Sequence, residues 1–311
     1  MRKKFSLISL ALILLCSLSY LLPPPSQPFT KLYERVDPSV SASLAAFRES
    51  FPPRYLEVNR TRWEYIVVGE GGQTLLFLHG LTGSYDIWWQ QIQDLEDRYR
   101  IVAVTYPAED SLEALAEGIL AILDREGVSV VTVIGTSLGG YVAQFLVANY
   151  PERIEKAVFS NTFPPNEILK RQYGLLGGLI PYTPEWLIML VLRANVSLSL
   201  YPAGRNSELL RAFLIEQTYG RMSKAQILAR YRCVVEPFEP PNLAKEGIPV
   251  LIIESDNDPL LTSKLRRQMR EVYPTAMVRT LPSAGHFPYL SSAKEYTGVL
   301  SQFLTDQLPL Q

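Results

Sequence analysis

One serine stands among glycines in Gly135-Thr136-Ser137-Leu138-Gly139-Gly140. The residues before it, Val128 to Ile134, are apolar and β-branched, and those after it follow a helical pattern. A strand that turns directly into a helix strains the backbone at its middle residue. Side chains two positions before and after that residue would strike the neighbouring elements. Gly135 and Gly139 remove those collisions, and Gly140 lets the helix pack closely. The arrangement lifts the Ser137 hydroxyl above a sheet edge, with the Leu138 N–H beside it at a helix N-terminus. The chemistry such a serine offers is nucleophilic attack on a carbonyl, provided a base removes its proton.

The chain has only two histidines to serve as that base. His286, in "SAGHFPYL", lies in a loop after the last predicted strand. His79 ends a strand and precedes Gly80-Leu81-Thr82. We read His286 as the base and His79-Gly80 as an oxyanion loop. The Leu81 N–H would join that of Leu138 as the donors that developing negative charge requires. The base needs a carboxylate to orient it. "LIIESDNDPLL" offers two just past a strand end, Asp256 and Asp258, and alternation alone does not separate them. Pro259 fixes the backbone after Asp258 and brings no competing N–H, whereas Asp256 suits a turn cap.

The elements that must position these groups alternate. "WEYIVVGEGGQTLLFLHG" reads as a strand, a Gly-Gly turn and a second strand. Arg100–Pro107, Val128–Gly135, Lys156–Thr162, Ile248–Ser255 and Ala276–Leu281 read as further strands. Several are nearly continuous apolar runs, as expected where both faces of a sheet are covered. Helical patterns lie between them at Ser84–Asp97, Asp110–Glu126, Leu138–Tyr150, Thr262–Tyr273 and Ser291–Leu308. This alternation predicts an α/β fold with a mostly parallel, doubly wound sheet, whose functional groups gather at the strands' carboxyl ends. Residues 163–237 break the rhythm with helical patterns alone, too long for a connection. They predict a helical cap inserted into a core formed by 54–162 and 238–311. The stretch "YGLLGGLIPYTPEWLIMLVLR" would give that cap an apolar lining suited to an acyl chain.

The first residues read as a targeting segment. Three basic residues precede a charge-free apolar run from Phe5 to Leu22, followed by three prolines. Over 1–22 this predicts a signal-anchor, or a signal peptide cleaved after the small residues Ser17 and Ser19. Either the catalytic domain is exported and held at a membrane through this segment, or it is secreted. Residues 23–53 read as a Pro-rich tether with one short helix. Asn59-Arg60-Thr61 and Asn195-Val196-Ser197 are glycosylation sequons, relevant in a host that glycosylates exported proteins. A net charge of −1 and the lack of a long basic run argue against a nucleic-acid partner. Neither a phosphate-binding glycine loop nor a cysteine or histidine cluster points to a cofactor or metal, and none is expected. Cys16 and Cys233 leave no disulfide framework.

From Trp63 to the end the chain resembles the α/β-hydrolase superfamily. The resemblance rests on the His79-Gly80 loop, the elbow around Ser137, an aspartate after the penultimate strand and the final Gly285-His286. Within that superfamily "VTYP", "VVEP", "VYPTA" and "HFPYL" resemble the maspardin-like group. The resemblance implies a Ser137–Asp258–His286 triad that cleaves small, apolar carboxylic esters, including lipid esters, through an acyl-enzyme. It also implies an alternative, because some of that group have incomplete triads and are thought to be binding proteins. Ser255 departs from the glycine usual at its place in the acid loop.

Overall fold

The computed structural model describes residue 20 and residues 25–308. Apart from Tyr20, the targeting segment expected over 1–22 lies outside the described residues. Eight strands form one sheet in the order β1-β2-β4-β3-β5-β6-β7-β8. They are β1 (Arg54–Val58), β2 (Thr61–Val68), β3 (Thr74–Leu78), β4 (Arg100–Thr105), β5 (Val131–Thr136), β6 (Ile154–Ser160), β7 (Val250–Ser255) and β8 (Met277–Leu281). The β1–β2 and β2–β4 pairs are antiparallel, and every later pair is parallel. Every residue of β3, β5 and β7 is buried, which is why these strands read as unbroken apolar runs. Two apolar layers cover the sheet. One gathers Phe77, Trp88, Trp89, Tyr289 and Tyr296; the other gathers Trp63, Tyr106, Ile119, Tyr141 and Tyr273.

The sheet departs from the sequence reading in two places. β1 was not foreseen. It pairs with β2 across Asn59 and Arg60, whose φ values of 51° and 67° are those of a tight hairpin turn. β2 and β3, consecutive in sequence, are not neighbours, since β4 lies between them.

A larger difference concerns the segment expected as a tether with one short helix. A helix at Pro38–Ser50 starts on Asp37, whose carboxylate accepts from the Ser39 N–H at 2.8 Å, with proline at its first position. Its Leu44 and Phe47, together with Leu32, Tyr33 and Val36 before it, are buried in the main core. Arg48 reaches Asp86 at 2.7 Å and Glu216 at 2.8 Å, and Arg221 closes on Asp86 at 2.8 Å. Tyr33 donates to Glu216 at 2.7 Å. Burial opposes charge on Asp86, yet Arg221 and Arg48 hold its carboxyl down at about 2. Removing one partner from such a buried pair costs roughly 3–5 kcal/mol, so this stretch is part of the folded body. Its stripe of Val40, Leu44, Phe47 and Phe51 carries the i, i+4, i+7 spacing of an amphipathic helix; the one short helix expected in this segment is therefore present, packed on the core.

Between β6 and β7 the chain is helical, at Ile168–Leu179, Glu185–Asn195, Glu208–Glu216 and Lys224–Val235, with no strand among the described residues. Three hydrogen bonds place this segment over the carboxyl edge of the sheet. Asn257 donates to the Ala203 carbonyl at 2.8 Å, Arg205 to the Pro282 carbonyl at 2.6 Å, and Arg230 to the Leu81 carbonyl at 2.7 Å.

Candidate active site

β5 ends and the helix Leu138–Asn149 begins at Ser137, which has φ 53° and ψ −120°. A side chain other than glycine's at positive φ is uncommon and stores strain. The surroundings hold it in place. The Ser137 N–H donates to the Ser160 carbonyl at 3.0 Å, and the Ser137 carbonyl accepts from the Thr162 hydroxyl at 2.7 Å. The three glycines are required by space. A Cβ at Gly135 would lie 2.1 Å from the Gly139 carbonyl oxygen, and one at Gly139 would lie 2.1 Å from that of Leu78. A Cβ at Gly140 would come within 2.7 Å of the Thr162 side chain. Leu138 opens the helix, so its N–H has no acceptor one turn back. Ser137 itself is partly exposed.

His286 Nδ1 stands 2.7 Å from Asp258 Oδ2, with both side chains buried. The other Asp258 oxygen accepts the N–H groups of Leu260 and Leu261 at 2.9 and 3.1 Å. Burial works against the Asp258 charge. His286, the Asn161 amide and the Leu260 N–H outweigh it and hold the carboxyl below its ordinary value. Asp256 is elsewhere: exposed, it accepts the Ser283 N–H at 2.7 Å and so caps the turn before His286. Ser255 carries no backbone cost for replacing the expected glycine, because it is not at positive φ. Its hydroxyl accepts from Asn161 at 3.2 Å. Gly285 does need to be glycine, with φ 68° and room for a Cβ only 2.9 Å from Ala203.

His79 is completely buried, and both its ring nitrogens are occupied. Nδ1 donates to the Gly80 carbonyl at 2.6 Å, and Nε2 accepts the Tyr106 N–H at 3.1 Å. Burial, then the nearby Arg230 cation, push its pKa well below the ordinary value, so the ring is neutral. Gly80 lies against Ser137: a Cβ there would be 3.1 Å from the serine Cβ and 3.7 Å from its Oγ. Leu81 follows at the partly exposed rim. Ser137, the His79–Leu81 loop, Asp258 and His286 therefore share one edge of the sheet. Ser137 Oγ and His286 make no hydrogen bond to each other among the described residues; such bonds often tighten only around substrate.

Two residues of this site were missed by the sequence reading. Asn161, at the end of β6 with φ 38°, donates through one amide to Asp258 at 2.9 Å, to the Gly285 carbonyl at 3.2 Å and to Ser255. It joins the acid loop to the histidine loop. Arg230 comes from the helix Lys224–Val235 and is 1% exposed, with no carboxylate in ion-pair range among the described residues. It donates to the carbonyls of Leu81 (2.7 Å), Gly83 (3.2 Å) and Tyr106 (2.6 Å). Burial pulls its guanidinium down to about 10. The only earlier signal for Asn161 was asparagine's tolerance of left-handed backbone; Arg230 left none.

Among the described residues no group of three or more histidine, cysteine or carboxylate side chains could hold a metal ion. The family profile described as "Alpha/beta hydrolase family" matches residues 75–298. RutD of Caulobacter sp. (strain K31), provisionally named a carbamate hydrolase, is 26% identical over 249 residues, covering 76% of this chain and 91% of that protein. Maspardin of Homo sapiens is 25% identical over 231 residues, 71% of each chain. Among solved structures, the enol-lactonase from Burkholderia xenovorans LB400 superposes with a TM-score of 0.66 at 19% identity, covering 81% of this chain and all (100%) of that one.

Proposed function

From the premise that this chain belongs to the alpha/beta hydrolase family, we propose that it is a serine hydrolase that cleaves carboxylic esters through an acyl-enzyme. The observation that carries the reading is the His286–Asp258 pair at 2.7 Å on the same sheet edge as a strained, partly exposed Ser137. In this reading His286 Nε2 takes the Ser137 proton as Oγ attacks the ester carbonyl. The Leu81 and Leu138 N–H groups receive the negative charge on the carbonyl oxygen. His286 then gives the proton to the departing alkoxide. Water, activated by the same ring, releases the acid and restores the serine. Asp258 holds the Nδ1 tautomer and supports the imidazolium. His79, neutral and doubly bonded, positions the loop that bears Leu81.

The names of RutD, a carbamate hydrolase by its provisional name, and of the enol-lactonase are in keeping with this chemistry. The likeness to maspardin favours a second reading, a non-catalytic binding protein on the same scaffold. The presence of serine, aspartate and histidine in one arrangement favours the first. Covalent labelling by a fluorophosphonate probe separates the two, since it needs an activated serine. Labelling confined to Ser137 is expected; a folded protein that stays unlabelled would leave only the binding reading.

Arg230 acts here as a positioning residue. Arg230→Met would strip the bonds to the Leu81 and Gly83 carbonyls and loosen the loop that aims the Leu81 N–H. A small misplacement of a positioned group costs up to about a hundredfold, and we expect a fall in kcat of about tenfold or more with KM little changed. Arg230→Lys is expected to restore part of it. A lowered melting temperature with unchanged kcat would reduce Arg230 to a structural role.

A further inference from the structure

The large apolar side chains that remain exposed are concentrated in one part of the molecule. Of nine such residues among those described, six are Leu175, Leu179, Tyr182, Leu190, Val191 and Leu198, all in the helical segment between β6 and β7, and a seventh is Tyr20. Leu198 is 81% and Leu175 80% exposed. Leu175 and Leu179 are one turn apart on one helix. The helical run 185–203 has two unlike sides. Ile188, Met189, Val196 and Leu200 are buried against the rest of the protein, whereas Leu190, Val191, Ala194 and Leu198 face outward, interrupted by Asn195 and Ser197. This run is apolar enough by composition to cross a membrane, but its buried side holds it in the fold. A face of this kind lies on a lipid surface and does not traverse it.

Two further observations say what covers it. Tyr20, two residues before the end of the charge-free N-terminal run, donates its hydroxyl to the Tyr182 carbonyl within this face. Lys224 stands 5.9 Å from the Tyr20 ring and ties the same turn through the carbonyls of Pro181 and Thr183 at 2.7 and 2.8 Å. A chain whose apolar N-terminal run enters a bilayer has residue 20 at the interface, where tyrosines concentrate. The charge also suits lipid headgroups: between Glu167 and Glu208 the sequence has Lys170, Arg171, Arg193 and Arg205 against the single acid Glu185. Lys170 and Arg171 are exposed.

We propose that the outward face formed by Leu175, Leu179, Tyr182, Leu190, Val191 and Leu198 is a lipid-contact surface, seated in the headgroup–acyl boundary of the membrane that the N-terminal run enters. The surface is independent of the catalytic reading, and its test does not use activity. The full chain carrying Cys16→Ser is reconstituted in phosphatidylcholine vesicles containing a minor share of phosphatidylglycerol. A fluorophore is placed at Leu198→Cys, at Leu190→Cys, or at Val130→Cys as a control, an exposed position before β5 at the opposite edge of the sheet. A nitroxide on the lipid acyl chain is expected to quench the first two labels and to leave the third bright. Absence of quenching at both cap positions overturns the proposal, whether the protein fails to associate with vesicles or stands clear of them. Shielding of the cap labels without lipid, with no nitroxide quenching, would assign the face to the chain's own N-terminal run. Shielding that rises with protein concentration would assign it to a second copy. Either result overturns lipid as the occupant, as would a glycan on Asn195 when the full chain is made in a glycosylating host.

Discussion

Ser137→Ala is expected to remove cleavage of short nitrophenyl esters, lowering turnover by roughly 10⁴-fold or more, the scale seen when a triad nucleophile is deleted. In the proposed mechanism the effect is this large because no other side chain would form the acyl-enzyme; what would remain is binding and the proposed oxyanion donors. The variant is also a clean one. Serine and alanine bear the same Cβ, so φ 53° costs each about the same, and the bonds to Ser160 and Thr162 use backbone atoms of residue 137. The melting temperature is therefore expected to stay near that of the wild type. Equal ester turnover by wild type and Ser137→Ala would remove the serine from the chemistry, and with it the acyl-enzyme.

Asp258→Asn comes next in size. The carboxylate receives His286 Nδ1–H, the Asn161 amide and two backbone N–H groups. An asparagine in its place can present an amide N–H toward His286 and so stabilise the wrong tautomer. In a serine protease with this triad the same change costs about 10⁴-fold, and we expect at least a hundredfold loss in kcat with KM nearly unchanged. Asp256→Asn is expected to cost under about tenfold. Its carboxylate accepts only the Ser283 N–H from the surface, and an amide oxygen can accept that bond too. Steady-state kinetics on both purified variants decide the matter; the reverse ranking, with both folded, moves the orienting acid to Asp256.

The part of the site legible in the sequence is the part written in short stretches. The glycines around Ser137 lie within a few residues of it, and the clashes they avoid follow from any strand–turn–helix of that length. His286 stood out because the chain has so few histidines. Asp258 and Asp256 were separable by the turn chemistry of their own loop. What stayed hidden depends on contacts between distant parts of the chain. Arg230 is 149 residues from Leu81, and nothing in "RYRCVVEP" distinguishes it from the exposed Arg232 two positions on. Asn161 is 97 residues from Asp258. The position of β4 between β2 and β3 is likewise a matter of pairing, to which local periodicity is blind. The short helix expected within 23–53 is present at Pro38–Ser50, but its packing on the core through Leu44 and Phe47 rests on contacts with distant parts of the chain.

The two imidazoles make this site readable by resonance spectroscopy without any introduced label. Protein enriched with nitrogen-15 only in histidine contains two rings in the whole chain. One of them, His79, is held as the Nδ1–H tautomer by the Gly80 carbonyl and the Tyr106 N–H, and is buried beyond the reach of protons near neutrality. It supplies a fixed internal reference. Any ring signal that moves on addition of an ester analogue then belongs to His286, the ring hydrogen-bonded to Asp258.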